Sequence, residues 1–152
     1  MLARLLAQAR GGSIPMADST FVDAAADAWY ANEIGYLANL GLVLGRGNGF
    51  FAPGESITRA EFAVQSVRFY SSVGEQVTDS AAFIFSDVSD SHWAAREIQI
   101  AAAMGWFQES PADRFYPYDP MTRAEGVAML NRMPGRTADQ RCIADHIVRA
   151  NG

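Results

Sequence analysis

The residues with the most chemical potential occur twice. Thr58-Arg59-Ala60-Glu61 returns 64 positions later as Thr122-Arg123-Ala124-Glu125. An arginine in the first turn of a helix is well placed for an anion, because its forked donors and the free amides of the helix start face one region. A carboxylate held there would gain roughly 1.5–3 kcal/mol per charged hydrogen bond in a partly desolvated site. The same guanidinium is equally suited to pair with an acid of a neighbouring unit, and the residues alone leave both roles open. Trp29 and Trp93, also 64 apart, offer flat apolar faces that suit the C–H face of a sugar, although an aromatic at a helix start more often packs. Gly45-Arg46-Gly47-Asn48-Gly49 has the glycines of a phosphate loop but no preceding strand. Its second copy spans Glu109 to Asp113, so a plain turn is expected. Asp23 and Asp87 are expected to hold the chain turn ahead of a helix, and their spacing does not resemble a calcium loop. His92 and His146 have no nucleophile motif around them, and Cys142 reads as a small core residue. No catalytic residue, metal site or cofactor is therefore expected. An enzyme such as a glycan hydrolase would need paired carboxylates in a cleft, and nothing marks them beyond Glu61 and Glu125.

Composition bounds the classes that remain. The 152 residues carry 17 acidic and 12 basic side chains, a net charge of −5, with no run of Lys or Arg. Duplex nucleic acid needs a concentrated basic face, so it is a poor partner. A lone cysteine excludes an intrachain disulfide framework, and no stretch approaches the ~20 apolar residues of a membrane span. Arg4 breaks the first apolar run after three residues, which leaves no secretory signal visible in the chain.

The elements that position these residues follow from the repeat. Fifteen of the 51 positions from 21 to 71 are identical to their partners at 85 to 135, including Trp, Pro and Gly, so the unit is duplicated. Arg4, Arg68 and Arg132 keep the same spacing, and residues 1–10 read as the closing helix of an earlier unit whose first half is absent. In each unit an amphipathic face, Tyr30, Ile34, Leu37 and Ala38 or Ala94, Ile98, Ala101 and Ala102, predicts a first helix. Asp27 and Ser91 are its expected N-caps, and Gly41 and Gly105 its stops. An irregular loop follows, over 42–57 and 106–121, held by Pro53 and Pro117. Thr58 with Glu61, and Thr122 with Glu125, then form capping boxes that open a second helix. This helix is expected to run to about Phe69 in one copy and to stop at Met133-Pro134-Gly135 in the other. The expected division is a partial repeat and linker at 1–20, a unit at 21–71, a linker at 72–84, a unit at 85–136, and a C-terminal helix within 137–152.

The order Phe85-Ser-Asp87, His92-Trp93-Ala94, Glu97-Ile98, Gly105-Trp106, Phe115-Tyr-Pro117 and Met121-Thr-Arg-Ala-Glu125 closely resembles the S-layer homology (SLH) domain family. Residues 21–70 resemble it too, through Ile57-Thr58-Arg59-Ala60-Glu61. The resemblance implies an all-α fold of tandem helix-loop-helix units around a pseudo-threefold axis. It further implies non-catalytic anchoring at the wall or surface layer of a bacterium, by binding an anionic, pyruvylated secondary cell wall polymer in grooves between units. Carried over, it points to Arg59 and Arg123 as ligand contacts, with Trp29 and Trp93 beside them. Two units of a threefold design leave an open side. Helices 1–10 and 138–149 are expected to come together and complete a third pair there, or else 152 is the length of a fragment. The alternative reading is a helical self-assembly or protein-interaction module, in which the open side pairs with another copy as a homo-oligomer.

Overall fold

In the computed structural model, residues 3, 7, 11–17, 21–77, 85–107 and 113–133 are described. Among them the fold is all-α, with α1 (Ala31–Asn39), α2 (Arg59–Ser72), α3 (Ala95–Ala103) and α4 (Arg123–Arg132). The β-type pairing among these residues is one isolated bridge, Thr58 to Pro120.

The second helix of each unit starts as its sequence dictates. The Glu61 amide donates to Thr58 Oγ1 at 3.2 Å while the Thr58 amide donates to Glu61 Oε2 at 2.7 Å. Thr122 and Glu125 repeat this at 3.2 and 2.9 Å. The first helices start differently from expectation. Tyr30 and Ala94, not Asp27 and Ser91, stand at the N-caps, and neither makes a side-chain cap bond. Successive tight turns lead into these helices instead. The amides of Ala28 and Ala31 donate to the carbonyls of Ala25 and Ala28, and those of His92 and Ala95 to the carbonyls of Ser89 and His92. Main-chain carbonyls thus serve amides that a side-chain cap would otherwise satisfy.

Helix ends follow glycine and proline. Gly41 and Gly105 both take φ +69°, and the paired bonds Leu42 N–H to Leu37 O and Gly41 N–H to Ala38 O close α1. Trp106 to Ala101 and Gly105 to Ala102 close α3 in the same way, a Schellman arrangement. The second helix of the first unit continues three residues past Phe69 to Ser72, because the next left-handed glycine is Gly74, φ +84°. In the second unit Met133 turns extended ahead of Pro134 and ends α4.

The core crosses the repeat boundary. Helix α2 of the first unit packs chiefly on α3 of the second. Ala60, Ala63 and Ala101 are fully buried, which lets the backbones approach, and Tyr70 meets the buried Trp106 edge-on at 5.1 Å. Backbone bonds reinforce the crossing: the amides of Arg59 and Ala60 donate to the carbonyls of Asp119 and Pro117, both at 3.0 Å, and Met121 N–H donates to Ile57 O at 2.8 Å. The second unit's loop therefore satisfies the first two free amides of α2. Toward the amino terminus Ala3 and Ala7 are helical and buried. The 138–149 helix, with Cys142 and His146, lies outside the described residues, and so does the third helix pair it was expected to complete.

Candidate anion-binding groove

The site is built on the loop ahead of α2. Gly45 sits at φ +69°, and a Cβ there would lie 2.5 Å from both Phe21 Cε1 and the Phe50 carbonyl oxygen. Only glycine makes this turn without displacement, and the turn is locked by Arg46 N–H to Phe50 O at 2.8 Å and Phe50 N–H to Gly47 O at 3.0 Å. The backbone of Arg46 is thereby held in place. Asp23 fixes the next stretch, its carboxylate accepting from the amides of Phe51 and Ala52 at 2.8 and 2.6 Å. Ala52 takes φ +60° there, an uncommon conformation for a residue with a Cβ. Asp87 does the same for Phe115 and Tyr116, both at 2.8 Å, with Tyr116 at φ +57°. The two aspartates thus hold loops 28 and 29 residues away, not only the local turn expected of them. The Phe51 amide, aided by that of Ala52, keeps the Asp23 carboxyl below the usual range, against a smaller effect of burial. For Asp87 burial pushes upward, but the amides of Phe115 and Tyr116 with the nearby Arg114 outweigh it and the net shift is downward.

A groove of about 580 Å³ opens between this loop, α2 and the second unit. Arg46, Glu55, Thr58, Glu61 and Arg68 line it from the first unit, and Trp93 and Tyr118 from the second. Trp93 is 58% exposed and Tyr118 70%. His92 braces them, stacked on Trp93 at 5.6 Å and edge-on to Tyr118 at 5.4 Å between centroids. Its Nδ1 accepts from the Ala94 amide at 3.1 Å, and its Nε2 is a buried atom with no partner among the described residues.

The charges are unequally committed. Arg46 pairs with Glu55, donates to Ser56 O at 2.9 Å and lies 3.4 Å from Glu61. Glu61 is held in its capping box. Arg68 lines the groove and has no hydrogen-bond or ion-pair partner among the described residues. Among the described residues the groove offers one guanidinium without a partner, Arg68, together with two exposed aromatic side chains, a set suited to a sugar that bears a negative group.

The expected residues divide. Trp93, Thr58 and Glu61 line the groove. Arg59 does not: its side chain is only 12% exposed, Nε donates to Phe115 O at 2.8 Å, and Nη1 bonds Glu125 Oε1 at 3.1 Å. Its guanidinium also lies over the rings of Phe107 and Phe115, 5.2 and 5.1 Å from their centroids. Arg59 therefore makes the pairing with a neighbouring unit's acid that its residue type left open. The Thr122 hydroxyl and amide, and then Arg59, keep the Glu125 carboxyl below its ordinary value. Trp29 is 84% exposed, touches Tyr30 edge-on at 5.4 Å, and does not line the groove. The Arg123 side chain lies outside what is described. Arg46, Arg68 and Tyr118 were not anticipated. The 64-residue recurrence of Arg68 with Arg132 was the one sequence signal for any of them.

The S-layer homology domain family model matches residues 20–63 and 84–125. A cellulosome-anchoring protein of Acetivibrio thermocellus is 34% identical over 87% of this chain and 30% of its own length. A surface layer protein of Brevibacillus choshinensis is 36% identical over 72% of the chain and 10% of its own. An amylopullulanase of Thermoanaerobacterium thermosulfurigenes is 33% identical over 72% and 6%. The chain thus spans less than a third of each of these relatives. With two family matches, paired capping boxes and the repeated Asp-held loops, the chain belongs to the S-layer homology domain family.

Proposed function

We propose that this chain is a non-catalytic anchoring module that holds a protein at the outer surface of a bacterial cell by binding an anionic secondary cell wall polymer in the groove. The observation that carries this reading is Arg68, without a partner among the described residues, in a groove shared with the exposed Trp93 and Tyr118. A pyruvate ketal on a terminal sugar supplies one carboxylate for Arg68, and the sugar ring supplies C–H faces for the aromatics. At a Debye length of ~8 Å the net charge of −5 does not override local arginine geometry. The relatives named for anchoring and for surface layers support the same role. Arg59 serves the groove indirectly, by fixing the second unit against α2.

Co-sedimentation with purified sacculi, before and after removal of the secondary polymer, tests this. Wild type is expected to pellet only with intact sacculi, and Arg68→Ala and Trp93→Ala to lose most binding while unfolding at nearly the wild-type urea midpoint. Equal pelleting of all three proteins, or pelleting that survives polymer removal, overturns the reading.

A further inference from the structure

We propose that Glu55 sets the charge specificity of the groove, so that it takes a sugar with a single negative charge and rejects a dianion. This rests on the groove being the polymer site. The groove holds two guanidinium groups, Arg46 and Arg68, and two carboxylates, Glu55 and Glu61. The carboxylates differ in what holds them. Glu61 is tied to α2 by the Thr58 amide at 2.7 Å and the Thr58 hydroxyl at 3.0 Å. The Glu55 side chain is 63% exposed, and its one ion pair among the described residues is with Arg46. It has no capping task. Its effect is to occupy Arg46, whose position the Gly45 turn and the Ser56 carbonyl otherwise keep ready for a ligand.

The consequence is a charge balance. With Glu55 on Arg46 and Glu61 beside it at 3.4 Å, Arg68 is the groove cation without a partner among the described residues, and one carboxylate pairs with it. A phosphate monoester carries close to two charges at neutral pH. Its second charge would find Arg46 already paired with Glu55 and beside Glu61, and would meet the repulsion of the Glu55 carboxylate in the same groove. The corresponding positions of the second unit are Ser110 and Asp119, so this arginine and acid do not recur as a pair there. The acid recurs as Asp119 but the arginine does not, so the Arg46–Glu55 pair belongs to this groove and not to the repeat.

The test uses two probes on one sugar: a methyl hexoside with a 4,6-linked pyruvate ketal, and the same hexoside 6-phosphate, each titrated at pH 7.5 and fixed ionic strength. Wild type is expected to prefer the ketal. Glu55→Gln removes the closer of the two carboxylates beside Arg46, leaving Glu61 at 3.4 Å, and is expected to raise affinity for the phosphate about tenfold, the worth of one charged hydrogen bond, with a smaller change for the ketal. Arg46→Ala in the Glu55→Gln background should remove the gain, and unchanged unfolding midpoints exclude an indirect effect. A phosphate affinity that Glu55→Gln leaves unchanged overturns this inference. Ketal binding that persists in Arg68→Ala overturns the groove reading itself, so the two failures are distinguishable.

Discussion

Replacing Arg59 with alanine separates a clamp from a ligand contact. The side chain gives a charge-assisted bond to the carbonyl of Phe115, a residue 1% exposed, so its removal leaves that acceptor without its donor. Loss of such a bond costs about 1.5–3 kcal/mol. The ion pair with Glu125 adds little, because that carboxylate side chain is 44% exposed and water screens it, roughly 0.2–1 kcal/mol. The guanidinium over Phe107 and Phe115 contributes about 0.5–1 kcal/mol at a partly exposed position. These effects share one side chain and overlap, so the net loss is about 2–3 kcal/mol. At an m-value of about 2 kcal/mol/M in urea, the midpoint should fall by about 1–1.5 M. Arg59→Lys retains charge without the planar fork, and should recover less than half of the loss. Below their unfolding transitions both variants should still pellet with sacculi. An unchanged urea midpoint together with lost sacculus binding would refute the clamp and make Arg59 a ligand contact.

Two further outcomes follow from the loops. Gly45→Ala places a Cβ 2.5 Å from the Phe50 carbonyl at φ +69°, so it should destabilise the chain by roughly 1–3 kcal/mol and weaken sacculus binding through displacement of Arg46; wild-type stability in urea would contradict the rigid-turn account. Asp23, Asp87 and Glu125 all have folded-state pKa values below their ordinary ones. Their contribution is complete above the unfolded carboxylate range, about pH 4 and higher, and is lost as pH falls through the lowered folded values. Urea midpoints should therefore drop steeply below about pH 4 in wild type. They should drop less in Asp23→Asn/Asp87→Asn, which starts lower at neutral pH; parallel profiles would refute the contribution of the aspartate latches.

Much of the secondary structure was legible because its causes are local. Thr58 with Glu61 and Thr122 with Glu125 open helices through bonds three residues apart, and Gly41, Gly105 and Pro134 end them through backbone conformations few other residues adopt. The N-caps Asp27 and Ser91 were misplaced because main-chain turns satisfied the same amides, an alternative that side-chain type does not reveal. The groove was only partly legible. Trp93 and Glu61 stood in repeated motifs, whereas Arg68 lies beyond the matched stretch 20–63 and Arg46 looked like turn filler.

By itself the sequence determined the repeat, the starts of the second helices, the glycine stops of the first and the family, since each depends on residues close in the chain or on their recurrence. Tertiary structure decided which surfaces meet. It set α2 of one unit against α3 of the next, turned Arg59 inward onto Phe115 and Glu125, and brought Arg68 and Trp93 to one groove from separate units. The physical reason is that caps and left-handed glycines act over a few bonds, while a side chain's partners depend on apolar faces burying each other across distant segments. Thr-Arg-Ala-Glu therefore marks where a helix begins, and only the packing shows that the arginine of its first copy, Arg59, joins two units.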